Sequence, residues 1–242
     1  MSPERGYIVV GARGQLGSHI FTGLKAEGSL VLGVDVAQSE TETDEIEVCD
    51  FSSPRAVRGY FDERCDGLKV GELVMVLAQG RIHNEPVLRL EGSQLVTHEE
   101  GSWDDVITSN LKTAFVGATE FARMCRMKRM PGVVIAFSSI SAGGAPGQLA
   151  YSAAKGAIES MVKALARELG PVGIRAVSIA PGYIDTPSTR RHMTESRLES
   201  VTQRTPVRRL GTPGEILSTI KWIATTEYVS GTTIEVSGGL TL

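Results

Sequence analysis

Cysteine is scarce in this chain: Cys49, Cys65 and Cys125 are the only three in 242 residues. An odd, widely spaced set fits reduced thiols in the cytosol better than a disulfide framework. None stands at metal-ligand spacing from a histidine, so no structural zinc is expected. Polybasic runs are missing too, and a net charge of -3 carries no nucleic-acid signature. No apolar run approaches the ~20 residues that a membrane helix needs. The opening, MSPERGYIVVG, enters an apolar run at once and leaves no room for a signal peptide, so a cytoplasmic location is expected. Linkers and repeats are absent, and residues 1–242 read as a single domain.

What is present is a regular alternation. Short apolar runs at Tyr7 to Val10, Leu30 to Val34, Ile46 to Cys49, Glu72 to Leu77, Val133 to Phe137, Ile174 to Ile179 and Thr232 to Val236 read as strands. Helical periodicity lies between them, at Ala56 to Cys65, Trp103 to Met127 and Ala150 to about Leu169. A further helix opens at Leu210 to Glu215, with Thr212 as its N-cap and Pro213 in its first turn. The acidic stretch Ser39 to Glu47 reads as a solvated loop entering the third strand. Alternating strands and helices specify an α/β protein: a doubly wound, parallel seven-stranded sheet of the Rossmann type with helices on both faces.

The first strand runs straight into GARGQLG and then an amphipathic stretch, which is the context of a dinucleotide-binding turn. Gly11 allows the sharp turn, Gly14 lets the backbone approach a pyrophosphate, and Gly17 lets the helix pack close to the sheet. With Arg13, Gln15 and Leu16 these are candidate cofactor contacts, the pyrophosphate sitting on the helix N-terminus. Asp35 closes the second strand. A carboxylate there can accept hydrogen bonds from both ribose hydroxyls of an adenosine and repels a 2′-phosphate, which predicts NAD over NADP. A plain strand-end turn aspartate is the other reading. Arg13, inside the glycine turn, could tolerate a phosphate.

The stretch from Ser138 to Lys155 carries the chemistry. Ser138 ends an apolar β-like run, Tyr151 follows thirteen residues later, and Lys155 lies one helical turn beyond it. Positions i and i+4 share a helix face, so phenol and ammonium can point into one space. A nearby ammonium favours the phenolate, and a tyrosine so tuned can exchange a proton with an alcohol or carbonyl oxygen. Ser138 would hold that oxygen by a hydrogen bond.

Together, from Tyr7 to Gly239, these features resemble the short-chain dehydrogenase/reductase family, in its single-domain branch. The resemblance implies hydride transfer between a nicotinamide and a small-molecule secondary alcohol or ketone. It implies Tyr151 as acid/base, Lys155 as its tuner and ribose ligand, Ser138 as carbonyl holder and Asn110 as the fourth catalytic residue, in a local helix distortion that holds a water near the lysine. It places Asp50 and Phe51 near the adenine, although a helix N-cap explains Asp50 or Ser52-Ser53 equally well. Ala78 and Gly80 become the cofactor wall beside the nicotinamide ribose. Pro181, Gly182, Ile184 and Thr186 embrace the nicotinamide and phosphates, and about 187–210 forms a substrate lid. By the same resemblance, the helices near Trp103 to Met127 and Ala150 to Leu169 pair across a two-fold axis in a homotetramer or homodimer.

The chain departs from the family in three places. Its glycines are spaced G-x-x-G-x-x-G, as in the longer two-domain branch. Leu77-Ala78-Gln79-Gly80 replaces the usual Asn-Asn-Ala-Gly. The polar, irregular stretch Arg81 to Ser102 is some eight residues longer than usual, around Glu91 to His98, and either lines a substrate pocket or decorates the surface. His83 and His98 read there as solvated loop histidines. The arginines between Pro187 and Arg209 could favour an anionic substrate, but exposed arginines are usually solvated surface. Three alternatives stand beside the main reading. An acyl-carrier-protein-linked 3-ketoacyl reductase could present Arg126, Lys128 and Arg129 to an acidic carrier, although Asp35 opposes its usual phosphorylated cofactor. A two-domain sugar epimerase or dehydratase shares the glycine spacing but is longer. A catalytically silent cofactor-sensing protein would not need the serine, tyrosine, lysine and asparagine set.

Overall fold

The computed structural model describes residues 5–38 and 45–242; the acidic loop expected at Ser39 to Glu47 lies largely outside them. Seven strands form one parallel sheet: β1 Arg5–Val10, β2 Leu30–Asp35, β3 Ile46–Val48, β4 Glu72–Leu77, β7 Gly132–Phe137, β8 Ile174–Pro181 and β9 Thr232–Val236. Their spatial order is β3-β2-β1-β4-β7-β8-β9. Every side chain of β4 and β7 is buried, as apolar runs covered on both faces require.

Alternation along the strands sorts the core into two layers. Ile8, Met75, Leu77, Val134 and Ala176 pack under α2 (Pro54–Arg64), α4 (Thr113–Lys128) and α5 (Leu149–Leu169). Val9, Val74, Val76, Ile135 and Ile179 pack under α1 (Gln15–Ala26) and α8 (Pro213–Thr225). The expected cap of α8 is present: the Thr212 hydroxyl accepts from the Glu215 N–H, and the Glu215 carboxylate accepts from the Thr212 N–H.

One stretch differs from its reading in the sequence, and a second carries the helix distortion that the resemblance implied at Asn110. Arg81 to Ser102 is not irregular: β5 (Leu88–Glu91) and β6 (Gln94–Thr97) form an antiparallel hairpin, turning at Gly92 with φ +62°. The helix expected through Trp103 to Met127 is interrupted. It comprises α3 (Glu100–Ile107), a wider π-helical turn at Thr108–Lys112, and α4. Two short helices, α6 (Pro187–His192) and α7 (Glu195–Arg204), fill most of the stretch read as a lid.

Strand order reverses between β1 and β4. From β1 the chain winds outward to β2 and β3; from β4 it winds the other way. The crevice at the carboxyl ends of these strands is where an open α/β sheet binds ligands.

Candidate active site

At that crevice the chain leaves β1 through Gly11, whose φ is +80°. The N–H groups of Gly11 and Ala12 both donate to the Val34 carbonyl, at 2.8 and 3.0 Å. A Cβ on Gly17 would lie 1.9 Å from the Gly11 carbonyl oxygen, and one on Gly11 would meet the Gln79 backbone at 2.8 Å. Turn, helix and the end of β4 therefore touch through backbone alone. Gly14 occupies the N-cap of α1, no side chain caps that helix, and its first turn holds no acidic residue. The amides of Gln15, Leu16 and Gly17 thus carry the positive end of α1 to the crevice, a suitable seat for a pyrophosphate.

Asp35 stands at the end of β2, its carboxylate accepting the Arg13 N–H at 2.9 Å and the Ala37 N–H at 3.1 Å. The Arg13 guanidinium donates to the Ile46 carbonyl at 2.9 Å. Asp50 accepts the Ser52 N–H at 2.8 Å, while Ser53 is the N-cap of α2. The Phe51 ring is buried against Tyr60 and Phe61 and is turned into the core. Gly182 packs on Ser237, with 2.9 Å between an added Cβ and the Ser237 Cα. Pro181 pairs with Val236, and Ile184 bridges to Gly211. Thr186 caps α6, accepting the Thr189 N–H at 3.1 Å.

The π turn presents Asn110, which is 1% exposed. Its amide nitrogen donates to the carbonyls of Val106 and Arg81, both at 2.9 Å. Among the described residues no group donates to its Oδ1, which lies against Gly80. A Cβ on Gly80 would fall 2.4 Å from that oxygen and 3.4 Å from Lys155 Nζ, so this φ of +153° is both permitted and required by glycine. Ala78 precedes it, half-buried. Gln79, where the family has a small residue, donates to Thr113 Oγ1 at 3.2 Å and so braces the start of α4 against β4.

Tyr151 and Lys155 share one face of α5, with the ammonium 5.4 Å from the centre of the phenol ring. Lys155 is buried, and Nζ donates to the Phe137 carbonyl at 2.7 Å. Burial pushes the Lys155 ammonium down to about 7. Burial raises the Tyr151 phenol, and a hydrogen bond from Ser139 pulls the other way. The expected lowering of the tyrosine by the lysine is therefore not seen in the protein alone, because loss of water dominates both groups.

The serine that meets Tyr151 is Ser139, not Ser138. The N–H of Ser138 continues the ladder to Ile179 O at 2.7 Å, and its side chain points under α5, where Oγ donates to Glu159 Oε1 at 2.7 Å. Successive side chains of an extended segment point opposite ways, so only one of two adjacent serines can reach the phenol. Ser139, half-buried, also accepts the Ser141 N–H at 3.1 Å, opening the 3₁₀ turn Ile140–Gly143. Counting residues back from Tyr151 points to Ser138, whereas the structure turns Ser139 to the phenol; alternation was the signal available.

The two loop histidines are not free in solvent. Both converge on Glu85, which is 6% exposed: His83 Nε2 lies 3.1 Å from it and His98 Nδ1 3.4 Å. Arg89 and the Glu99 N–H also donate to that carboxylate. Burial pushes Glu85 up, but these donors outweigh it and hold the carboxyl at about 2. The Glu85 N–H donates to the Gly147 carbonyl at 2.8 Å, and Gln148 donates to Asn84 Oδ1 at 2.8 Å. The added hairpin is therefore anchored to the loop just ahead of Tyr151. In the arginine-rich stretch, Arg190 forms a two-pronged ion pair with Asp185, and Arg209 another with Glu215. Among the described residues no cluster suits a metal ion, and no helix is long and apolar enough to cross a membrane.

Comparison with known proteins agrees with this geometry. A family model described as enoyl-(acyl carrier protein) reductase matches residues 15–241. The chain is 31% identical over 244 residues to the 3-oxoacyl-[acyl-carrier-protein] reductase FabG of Thermotoga maritima, covering 97% of both. It is 31% identical over 194 residues to the (3R)-3-hydroxyacyl-CoA dehydrogenase of Homo sapiens, covering 79% of this chain and 71% of that one. The fold matches a solved 3-hydroxyacyl-CoA dehydrogenase type-2 from Mycobacterium avium with a TM-score of 0.86 at 24% identity, over 99% and 96% of the two chains. The chain belongs to the short-chain dehydrogenase/reductase family, oxidoreductases that move a hydride between a nicotinamide cofactor and a secondary alcohol or ketone.

Proposed function

We propose that this chain interconverts a secondary alcohol and a ketone with NAD(H), using Tyr151 as acid/base. The convergence of the Tyr151 phenol, the Ser139 hydroxyl and the buried Lys155 ammonium beside Asn110 carries this reading. When bound, the nicotinamide supplies the hydride chemistry. Tyr151 gives its proton to the carbonyl oxygen in reduction and takes it from the hydroxyl in oxidation. Ser139 donates a hydrogen bond to the same oxygen, the role first read for Ser138. Lys155 favours the ionised phenol and holds a ribose hydroxyl, and Asn110 Oδ1 extends the proton path beyond the lysine. Gly11, Gly14 and the first turn of α1 hold the pyrophosphate, Asp35 the adenosine ribose, and Asp50 the adenine. Pro181, Gly182, Ile184 and Thr186 line the nicotinamide end, and α6 and α7 cover the substrate. Residues 1–242 act as one domain, in the cytoplasm, within a two-fold symmetric oligomer.

A second reading, a 3-oxoacyl thioester as the substrate, is favoured by the two relatives at 31% identity, whose names carry that chemistry. Arg126, Lys128 and Arg129 do not strengthen it within one chain. They end α4 at the start of β7, so the six-residue strand separates them from the serines by roughly 20 Å at a rise of about 3.3 Å per residue. Lys128 already pairs with Asp66.

The test is Tyr151→Phe, which keeps the ring and deletes the hydroxyl. Turnover on a panel of ketones, including 3-oxoacyl thioesters on coenzyme A and on carrier protein, should fall by about 10²- to 10⁴-fold while nucleotide affinity holds. Near-normal turnover with chemistry rate-limiting would refute the assignment.

A further inference from the structure

Two neighbouring contacts tie the carboxyl end of β7 to α5. Lys155 Nζ donates to the Phe137 carbonyl oxygen at 2.7 Å. One residue on, the Ser138 hydroxyl donates to Glu159 Oε1 at 2.7 Å and lies 3.3 Å from the Lys155 carbonyl oxygen. Ser138 is only 3% exposed, and its N–H is held by Ile179 on β8. A serine has a single O–H to give. Here that proton is committed to α5 and is not offered to the crevice. Glu159 stands four residues beyond Lys155 and eight beyond Tyr151, half-buried on the same helix face. A hydroxyl-to-carboxylate bond is roughly twice as strong as one between neutral groups, so this is a second firm side-chain link between strand end and helix, beside that of Lys155.

We infer that Ser138 and Glu159 are a positioning pair that sets the height of α5 against the end of β7. The strand carries Ser139 and the helix carries Tyr151 and Lys155, so the Ser138–Glu159 bond fixes the separation of the three groups that meet the reacting oxygen. The inference rests on the proposed roles of Ser139 and Tyr151. It adds two residues that touch neither substrate nor cofactor and act through those that do. Glutamine at 159 would keep an oxygen acceptor for Ser138; alanine at either position removes the bond.

The experiment compares Ser138→Ala, Glu159→Ala, the double variant, Glu159→Gln and Ser139→Ala in the full-length enzyme. It measures kcat, KM for the nucleotide and melting temperature on one established ketone. Ser138→Ala and Glu159→Ala should each lower kcat by roughly 10- to 100-fold, the scale that a small misplacement of reacting groups produces. KM for the nucleotide should stay near that of the wild type, and the melting temperature should fall only by the few degrees that one lost hydrogen bond costs. The double variant should be no worse than either single, and Glu159→Gln should recover most of the loss. A silent Glu159→Ala beside a crippled Ser138→Ala would overturn the pair, because Ser138 would then act directly. So would a lower melting temperature with kcat unchanged, which would make the bond merely structural. Normal turnover in Ser139→Ala would instead overturn the reading of the site on which the pair depends, whatever the other variants do.

Discussion

Lys155 carries its ammonium deep in the fold, where the proposed chemistry calls for one and folding does not. It is 3% exposed, and burial brings it from an ordinary 10.5 down to about 7. At about 1.4 kcal/mol per pH unit, a fall of that size costs the fold roughly 5 kcal/mol whenever the lysine must be charged in both states. Lys155→Met should therefore stabilise the nucleotide-free protein. Methionine cannot donate to the Phe137 carbonyl, which loses its 2.7 Å bond at a cost of about 1 to 3 kcal/mol. The net gain near pH 6 is then about 2 to 4 kcal/mol, or roughly 4 to 16 °C in melting temperature for a chain of this size. The sign fixes the pH dependence. Below about 7 the lysine is protonated whether folded or unfolded, and the full penalty applies. Between about 7 and 10.5 the unfolded chain binds the extra proton, so the stability of the wild type climbs with pH and the advantage of the variant shrinks. Urea or thermal unfolding of both proteins from pH 6 to 10, without nucleotide, measures this directly. A variant that is less stable at every pH, or more stable by a constant amount, would refute the reasoning. Turnover should be lost in either case.

Cofactor choice should follow Asp35: NADH should be used more efficiently than NADPH, and Asp35→Ala should narrow the gap. Equal or better use of NADPH by the wild type would shift attention to Arg13, whose guanidinium reaches across to Ile46. Glu85 should make the hairpin acid-labile. Its carboxyl is held at about 2 against an ordinary 4.5, so its contribution is whole above pH 4.5 and is lost as the pH falls towards 2. Amide exchange in β5 and β6 should quicken over that range, and Glu85→Ala should show the fast exchange already at pH 7; unchanged exchange in the variant would contradict the role. Light scattering at micromolar concentration should give a dimer or tetramer, with α4 and α5 across the two-fold axis and the exposed Phe115 of α4 covered. A monomer would remove that interface.

The sheet was legible because its strands are buried on both faces, and runs such as those of β4 and β7 have no other stable reading in a chain of this composition. The hairpin was not, and its pattern explains why. In β5 and β6 the leucines at 88, 90 and 95 face outward and are exposed, while Arg89 turns inward to the buried Glu85. Binary patterning assumes the opposite, so charges at the inner positions read as a polar loop. The π turn was expected only through the family resemblance, and the apolar pattern by itself hides it. Inserting one wider turn leaves the apolar spacing on either side nearly intact, and only an asparagine at an indifferent helical position hints at it. The titration of the tyrosine–lysine pair in the nucleotide-free protein was not legible, because spacing reports proximity and says nothing of lost water; here burial is the largest effect on both groups.

The choice between Ser138 and Ser139 turns on a loop whose length nothing in the sequence constrains. Between the strand end and α5 the chain makes a 3₁₀ turn at Ile140–Gly143, then passes Gly144 at φ +105° and Gly147 at φ +75°. Positive-φ glycines let such a segment gain or lose a residue without strain, so a fixed count back from Tyr151 carries little information. Alternation narrows the choice to one serine facing the crevice and one facing α5. Glu159 decides it. A carboxylate one helical turn beyond Lys155, on the face that meets the strand end, is half-buried and needs a donor. Ser138 is the donor that continuing the ladder by one residue places beneath it. That leaves Ser139 for the phenol. The same step that turns Ser139 to the phenol also gives Ser138 its partner, because a polar group turned into the protein must be satisfied there, and on the proposed reading that partner on α5 sets the register between the strand and the helix.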